Sequence, residues 1–409
     1  MISSNVTTIS NSTYSKEFYC GDGLHRFHNT YRSYHGYMSL VVCLFGSIAN
    51  LLNIIVLTRP DMRSPTNSIL TGLAIADLLV MIEYIPFSWH MYIRKQSRRE
   101  HYNYYWSLFV LFHSNFAQVC HTVSIWLTLL LAIWRYIAVG YPQRNRQWCS
   151  MRTTTTLILL GYIICPILCI PLYLAFNLES QEELFFTDNN SSYSASININ
   201  NTRLINSLKN SSAYTVENVT IYVVNLSELG RANNHFLSDL NFWMYSIVIK
   251  IIPCIALTIL SLRLICALID TKKRREKLSS GQATSKKNNK SSKLVEKEKQ
   301  TDRTTRMLLA VLLLFLLTEF PQGILGLLSM VLGPPFFEDC YNQLGEVMDI
   351  LALINSAINF ILYCAMSRQF RSNFDKLFRP KWFPLPQNNQ HNELTNQTNH
   401  YTTTQVTQV

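Results

Sequence analysis

The chain has 409 residues, of which 48% are hydrophobic and only 15% are charged. Because a typical soluble domain carries roughly 25% charged residues, this composition excludes an ordinary soluble protein and indicates a membrane protein. The net charge of +11 does not indicate nucleic-acid binding, since 12 Lys and Arg against 5 Asp and Glu fall in the single segment 270–303, which is typical of a cytoplasmic loop.

The first 36 residues are predicted to lie outside the cell and to carry glycans. Residues 1–36 are polar and lack the apolar core of a secretory signal, so the first membrane helix is expected to direct insertion. Asn5 and Asn11 each begin an Asn-X-Thr sequon, the acceptor of N-linked glycosylation in extracellular segments. An extracellular N-terminus is therefore the starting point for the topology.

Seven apolar segments follow, each long enough to cross a bilayer, which requires about 20 residues in a helix. They span approximately residues 37–58, 66–93, 105–140, 152–176, 240–269, 303–332 and 343–366. Seven crossings from an extracellular N-terminus place the C-terminus in the cytoplasm. This pattern predicts an all-α membrane protein, a seven-transmembrane helix bundle over 37–366 in the plasma membrane.

The connections between these segments favour the same orientation. Lys and Arg are concentrated in the predicted cytoplasmic loop 270–302, as the positive-inside rule requires, and only the basic cluster 94–99 lies in a predicted outer loop. The outer connection 177–239 contains the β-prone stretch 219–224, which predicts a short hairpin. The same connection carries further predicted glycosylation sites, at Asn189, Asn190, Asn200, Asn210, Asn218 and Asn225.

Of the ten cysteines, Cys20 and Cys340 alone fall clearly on the predicted extracellular side, while Cys149 lies in a predicted cytoplasmic loop and the others lie in membrane segments. A disulfide requires an oxidising compartment and two partners, so these residues form the plausible extracellular bridge. The alternative is a pair of free thiols. A bridge would tie the N-terminus to the last outer loop.

The chain after the seventh segment divides into two parts. Over 367–379, apolar and basic residues alternate at helical spacing, which predicts an amphipathic helix on the inner surface of the lipid bilayer. Residues 380–409 are rich in Asn, Gln and Thr, which predicts a disordered cytoplasmic tail. The tail ends in Thr407-Gln408-Val409, which resembles the C-terminal ligands of PDZ domains, so a PDZ-domain protein is a predicted partner.

The third segment contains polar residues that lipid would exclude, so one of its faces is expected to look into a polar bundle interior. These residues are Gln118, His121 and Ser124. The segment ends in Trp134-Arg135-Tyr136, and this triplet resembles the Asp-Arg-Tyr motif at the end of the third helix of rhodopsin-like receptors. The alternative is an interfacial Arg that only extends to the lipid headgroups.

Polar residues inside the other segments must face one another, because hydrocarbon excludes them. Together with Ser124 they resemble the motif residues of rhodopsin-like receptors at the matching places: Asn50, Asp77, Asn355, Ser356, Asn359 and Tyr363. In that family the Asp of the second helix holds a sodium ion, so the resemblance implies a sodium site at Asp77 within a polar switch. Oxygen ligands suit such a hard cation. The alternative for Asp77 is a structural, hydrogen-bonded carboxylate.

Two prolines and several longer strings extend the resemblance. Pro253 and Pro321 lie where the fifth and sixth helices of such receptors are kinked, and the strings RSPTN (63–67) and EYIP (83–86) resemble receptors for invertebrate FMRFamide-related peptides, myosuppressins and sex peptides. The resemblance implies a G-protein-coupled receptor for an amidated RFamide-type neuropeptide, with a heterotrimeric G protein of the inhibitory class and arrestin as partners. The implied G-protein contacts are Arg135, Tyr136, Pro142 and Gln143.

A transporter or channel and a membrane enzyme are the alternatives to a receptor. A transporter or channel could use the intramembrane His, Glu and Lys residues, although no internal repeat is visible in the sequence. An enzyme is not predicted, because the sequence has no metal-spaced His/Glu set and no nucleophile motif. Apart from the sodium ion, no cofactor is expected.

The sequence departs from the rhodopsin-like pattern in several places, and three of them bear on the site. Val110 stands where the third helix usually begins with a Cys bonded to the second outer loop, Trp134 replaces the Asp of the triplet, and Glu319 replaces the Trp of the sixth helix. A lone carboxylate at that depth is unfavourable. A contact of Glu319 with His121 or Lys250 is therefore expected.

The peptide is expected to bind between the outer halves of the helices. An Arg near its amidated end would pair with a carboxylate in an aromatic cleft, and Glu83 and Asp349 are the first candidates. For Glu346, plain solvation is the alternative. The candidate ligand-binding residues are Glu83, His113, Gln118, His121, Lys250, Glu319, Glu346 and Asp349.

Overall fold

The computed structural model describes residues 19–188, 194–197, 214–280, 310, 313, 314 and 316–378. Within them, six helices are long and apolar enough to cross a membrane, and a shorter apolar helix spans Leu316–Leu332. The predicted all-α seven-helix bundle is confirmed.

The helices of the bundle are named α1 to α7 in chain order. They are α1 Gly21–Leu57, α2 Pro65–Ser88, α3 Tyr104–Gly140, α4 Met151–Leu168, α5 in the consecutive stretches Glu228–Trp243, Met244–Ile251 and Ile252–Ser280, α6 Leu316–Leu332 and α7 Gly345–Met366. The amphipathic helix α8 spans Arg368–Phe378. Shorter helical turns are Pro60–Met62, Trp89–Ile93, Arg98–His101, Pro142–Trp148, Ile170–Ala175, Pro334–Phe336, Phe337–Tyr341 and Asn342–Leu344.

Helix α1 begins at Gly21, whereas hydropathy placed the start of the first segment at residue 37. The added turns are polar or amphipathic, so a hydropathy pattern does not detect them. Contacts with the outer end of α7 hold them: His28 Nδ1 lies 3.2 Å from a carboxylate oxygen of Glu346 and 3.1 Å from the backbone oxygen of Gln343. Tertiary packing thus continues α1 beyond the apolar segment.

Side-chain caps fix where several helices begin. Ser64, Asn103, Ser150 and Ser227 each accept a hydrogen bond from the backbone amide three residues ahead, at 3.1, 3.0, 3.2 and 2.9 Å. Such caps satisfy amides that have no partner within the helix. The last of them starts α5 at Glu228, earlier than the predicted residue 240, because these polar first turns pack on the outer connection rather than in lipid.

The cytoplasmic end of α5 also runs past the predicted boundary. The helix continues to Ser280, beyond residue 269, through a basic sequence that hydropathy does not assign to the membrane. At the end of α7, Arg371 Nη1 donates to the carbonyl oxygens of Cys364 and Ala365 at 2.7 and 3.0 Å. This cation caps α7 and sets the turn into α8.

The outer connection between α4 and α5 forms a long β-hairpin. Strand β1 (Phe176–Asp188) pairs antiparallel with β3 (Tyr214–Leu226) along its whole length, and β2 (Ser194–Ile197) pairs with the other edge of β1. The sequence indicated only the β-prone stretch 219–224. Strand β1 is rich in Glu and Gln, so its strand character depends on the partner that the fold supplies.

The hairpin is fixed to the outer loop between α2 and α3. The Tyr222 amide donates to the Tyr102 carbonyl at 2.9 Å, and Ser107 Oγ donates to the Tyr222 carbonyl at 2.5 Å. Arg98 donates to both carboxylate oxygens of Glu183 at 2.8 Å, and these hydrogen bonds raise the pKa of Arg98. The contacts join α3 to the hairpin where the usual cysteine bridge is absent, and they give the outer basic cluster an anionic partner.

The apolar core runs along the bundle axis, and one glycine allows a close approach of three helices. A Cβ at Gly46 of α1 would lie 2.9 Å from Met81 Sδ on α2 and 3.0 Å from Ala357 Cβ on α7. A larger residue would separate these helices. Because the polar residues of α1, α2 and α7 lie on the same faces, this close packing brings them together.

Removing the disulfide is expected to destabilise the outer end of the bundle. The Cys20–Cys340 bond is present, with a Cα–Cα distance of 5.7 Å, and it joins the start of α1 to the turns before α7. Cys20→Ser, Cys340→Ser and the double variant should each lower the free energy of unfolding by the same amount, about 2–5 kcal/mol, because each removes one and the same bond. Thermal melting of the purified protein measures this.

Cys266→Ser is the matched control for these variants. It removes an exposed free thiol and should leave Tm unchanged. Additive losses in the two single variants, or free thiols detected at both positions by mass spectrometry, would contradict a shared structural role.

Candidate functional site

The polar residues of α2, α3 and α7 meet at Asp77, which is only 2% exposed. Ser124 Oγ donates to one carboxylate oxygen at 3.1 Å, and Asn359 Nδ2 donates to the other at 3.2 Å. The Ser356 hydroxyl is a further hydrogen-bond partner of Asp77. Three neutral side chains therefore surround this carboxylate.

Asn50 connects α1 to the same cluster. Its Nδ2 donates to the backbone carbonyls of Gly46 and Ser356, both at 3.0 Å. Its Oδ1 is buried and has no hydrogen-bond partner among the described residues, and the same is true of both polar side-chain atoms of Asn53. Buried polar atoms are nearly always hydrogen-bonded, so these atoms can accept or donate to a small bound species.

These residues fit the sodium ion that the resemblance implies. The Asp77 carboxylate, the Ser124 hydroxyl and Asn50 Oδ1 are buried oxygen donors, which a hard cation prefers. A bound sodium ion would supply a positive charge beside the carboxylate. Two further residues were predicted to belong to the sodium site and polar switch. Tyr363 is buried and Asn355 is half-buried.

A second polar group lies between α5 and α6. Lys250 and Glu319 form an ion pair in which each side chain is 3% exposed. Lys250 Nζ also donates to Gln322 Oε1 at 3.0 Å, and His121 on α3 interacts electrostatically with Glu319. The structure thus brings together three residues that were expected near one another and adds Gln322.

Glu83 and His113 form a pair closer to the outer end. His113 Nδ1 lies 2.7 and 2.8 Å from the two Glu83 oxygens, and the Phe87 ring stacks on the imidazole with centroids 3.7 Å apart. Glu83 is therefore already engaged by a side chain of the protein. Gln118, further along α3, donates to Thr122 on its own helix at 3.4 Å.

Glu346 and Asp349 lie on the first turns of α7 and differ in their partners. Glu346 lies 3.2 Å from His28 Nδ1 and 3.9 Å from Arg32 Nε. Asp349 accepts a long hydrogen bond of 3.5 Å from the Tyr84 hydroxyl, and it forms no ion pair with the described part of the chain. Of the two carboxylates, Asp349 is therefore the one that can accept an external cation.

Sequence reasoning missed the ring cluster between α1 and α2 that supports this carboxylate. His35 Nε2 lies 3.0 Å from the Tyr84 hydroxyl, and its Nδ1 lies 3.5 Å from the Tyr31 hydroxyl. The His35 ring also contacts Tyr92, with centroids 4.8 Å apart. The available signal was the helical spacing of Tyr31 and His35, but both precede the predicted start of the first segment.

The cytoplasmic end of α3 carries the residues predicted to contact a G protein. Arg135 is partly buried, and its Nε has no hydrogen-bond partner in the described residues. Trp134 points instead to α4, where its Nε1 donates to Thr154 Oγ1 at 2.9 Å. The other residues predicted to contact the G protein lie at the same end and are half-buried or exposed. They are Tyr136, Pro142 and Gln143.

Two of the predicted glycosylation residues lie on β3. Asn218 Nδ2 donates to Glu182 and Asn225 Nδ2 donates to Glu179, both at 2.7 Å. These contacts place both amides on the outer hairpin. The PDZ-like terminus and the other sequons lie outside the described residues, at Asn5, Asn11, Asn189, Asn190, Asn200 and Asn210.

A sequence profile of the family described as serpentine type 7TM GPCR chemoreceptor Srw matches residues 37–381. The chain is 28% identical to the G-protein coupled receptor dmsr-1 of Caenorhabditis elegans, over 86% of this chain and 69% of that protein. It is 26% identical to the sex peptide receptor of Drosophila melanogaster, over 84% and 72%. It is 24% identical to the FMRFamide receptor of Drosophila melanogaster, over 84% and 53%. All three relatives are named as receptors.

Sodium is expected to stabilise the protein through Asp77. At about ten times the dissociation constant, a bound ion adds about 1.4 kcal/mol to the free energy of unfolding, a Tm increase of about 1–2 °C for a chain of this size. Replacing choline chloride with sodium chloride at equal ionic strength should raise Tm of the wild type but not of Asp77→Asn. Glu346→Gln, which removes a carboxylate at the outer end, should keep the response. A sodium response that survives in Asp77→Asn would place the ion elsewhere.

Proposed function

Because the chain belongs to the serpentine seven-transmembrane G-protein-coupled receptors, we propose that it is a plasma-membrane receptor for an amidated RFamide-type neuropeptide. Two of its relatives are named for peptides, the sex peptide receptor and the FMRFamide receptor, and the second of these names is that of an RFamide. The peptide binds between the outer ends of the helices and drives nucleotide exchange on a heterotrimeric G protein. The distribution of Lys and Arg supports an extracellular N-terminus and a cytoplasmic C-terminus.

The observation that carries the peptide proposal is that Asp349 forms no ion pair within the described residues. The other candidate carboxylates of the site, Glu346, Glu83 and Glu319, each lie within 4 Å of a basic side chain of the protein. An Arg of the peptide supplies the cation that Asp349 lacks. A charge-assisted hydrogen bond of this kind contributes about 1.5–3 kcal/mol, which is enough to select a cationic ligand.

The surroundings of Asp349 also suit the aromatic residue of an RFamide terminus. Aromatic rings from α1, α2 and α3 lie beside it, and they present apolar surface with occasional hydroxyl groups. These rings are Tyr31, Tyr84, Phe87 and Phe116. A peptide ending in Arg and Phe therefore finds both a carboxylate and an aromatic surface in one cleft.

The proposal of a G protein and arrestin as partners rests on the resemblance and on the exposed residues at the inner end of the bundle. Arg135 and the exposed turn that begins at Pro142 offer the contact surface for the G protein. Inhibitory-class coupling and arrestin binding follow the receptors that the chain resembles. Recruitment of a PDZ-domain protein by the C-terminus and glycan attachment at the outer sequons remain predictions.

The peptide site is tested by pairing receptor variants with peptide variants. Two peptides are applied to membranes, and nucleotide exchange is measured. One is FMRFamide, and the other is an analogue in which citrulline replaces Arg. Citrulline has nearly the same shape as Arg but carries no charge. Loss of the peptide charge should weaken potency about 10- to 150-fold at the wild type, as expected for 1.5–3 kcal/mol. In the Asp349→Asn variant the two peptides should have nearly equal potency, because the carboxylate that pairs with the peptide Arg has been removed.

Glu346→Gln and Glu83→Gln are the matched carboxylate controls. Since both residues already have basic partners within the protein, these variants should keep the preference for the charged peptide. A preference that persists in Asp349→Asn and disappears in Glu83→Gln would move the cation site to Glu83. Failure of every amidated peptide in a broad panel would reject the peptide class.

A further inference from the structure

The ion pair between Lys250 and Glu319 is the most deeply buried charge contact in the described residues, with each side chain 3% exposed. It connects α5 to α6 at a level where neither ion reaches bulk water. Gln322, one turn along α6 from Glu319, accepts a second hydrogen bond from Lys250 at 3.0 Å. The sequence therefore places a charged contact where rhodopsin-like receptors have a Trp.

The backbones of α5 and α6 are shaped for this contact. Lys250 lies in the π-helical stretch Met244–Ile251, and such stretches change the direction in which side chains project. On α6, a Cβ at Gly323 would lie 3.0 Å from Lys250 Cβ, and a Cβ at Gly326 would lie 2.3 Å from Ser246 Oγ. Two glycines thus allow α6 to lie directly against the π-helical stretch.

Neighbouring groups extend the contact to other elements. His121 brings α3 into electrostatic interaction with Glu319. The Tyr245 ring lies 5.5 Å from Lys250 Nζ, and its hydroxyl is hydrogen-bonded to Tyr341 before α7. A displacement of α6 from α5 would therefore separate the ion pair and disturb contacts with α3 and the outer turns.

Removal of one partner and removal of both have opposite consequences for a buried ion pair. A single neutral substitution leaves the remaining ion buried without its partner, which strongly disfavours the closed packing and favours any conformation that admits water. Replacing both ions with apolar side chains of similar volume is neutral or stabilising for the closed packing, and opening would then expose apolar surface.

We propose that Lys250 and Glu319 form a latch that holds α5 and α6 together in the resting receptor, and that hydration of the separated ions stabilises the signalling conformation. The inference rests on the proposed function in one respect, namely that movement of α6 opens the G-protein site. It requires no assumption about the peptide, because the latch sets the conformational equilibrium before any ligand binds.

The latch is tested by measuring basal nucleotide exchange without peptide. The rate is normalised to the amount of receptor at the cell surface. Lys250→Met and Glu319→Gln should each raise basal exchange about tenfold or more. The charge swap Lys250→Glu with Glu319→Lys retains the pair and should return basal exchange to within about twofold of wild type. The double variant Lys250→Met with Glu319→Met should fall below wild type. Ser329→Ala is the matched control, because it removes a buried α6 hydroxyl that donates within its own helix, and it should leave basal exchange unchanged.

A second measurement does not depend on any G protein. Hydrogen exchange of the α6 segment Leu316–Leu332 in purified receptor should be faster than wild type in the single variants and slower in the apolar double variant. The apolar double variant is expected to fold even if a single variant does not, so this comparison decides the proposal in that case. Failure of the proposed function would appear as no G-protein response in any variant, with this exchange pattern preserved.

Two results would overturn the latch. The first is hydrogen exchange of α6 in the apolar double variant that is as fast as in the wild type or faster. This result would show that hydration of the separated ions does not stabilise the open conformation. The second is unchanged basal exchange in single variants that reach the surface normally, together with loss of peptide potency in every variant including the swap. That pattern would make the pair a direct ligand contact.

Discussion

Hydrocarbon offers no hydrogen-bond partner to a polar side chain, and this constraint organises the whole molecule. A charged or amide group that a helix carries into the membrane is stabilised by a partner, and several of these groups find one on a neighbouring helix. Asp77 finds Ser124 and Asn359, and Lys250 finds Glu319. Because these contacts link different helices, the polar residues specify which faces of the bundle meet, while the apolar residues supply most of the packing.

The outer end of the bundle is closed by contacts that replace a missing cysteine bridge. Hydrogen bonds through Tyr222 and the ion pair of Arg98 with Glu183 join the β-hairpin to the start of α3. The Cys20–Cys340 bond fixes the start of α1 beside α7. Exposed ion pairs are screened by salt, so the hairpin attachment depends more on ionic conditions than a disulfide would.

Three polar levels follow one another from the outside to the inside. The outer level contains Asp349, the central level contains the latch between α5 and α6, and the inner level contains the Asp77 cluster. The outer and inner levels share α2 and α7, whereas the latch joins α5 to α6. A ligand cation at the outer level can therefore influence the latch by moving these helices. Coupling between two sites requires an element with two alternative positions, and each site must favour one position over the other. Here α6 is that element, because the latch restrains it.

The sequence by itself determined the membrane class, the seven apolar segments and the group of polar residues around Asp77. These features follow from composition, hydropathy and polar residues that lipid would exclude, all of which are local properties of the chain. The expectation that Glu319 needs His121 or Lys250 also came from the residues, because a buried carboxylate requires a partner.

Only the tertiary structure decided the choices between possible partners. Glu319 pairs with Lys250, Glu83 with His113 and Glu346 with His28, whereas Asp349 forms no ion pair in the part of the chain that the structure describes. The early starts of α1 and α5 and the strand character of β1 likewise depend on contacts between segments far apart in sequence. Hydropathy cannot predict such features, since the free energy that stabilises them comes from partners that the fold brings into place.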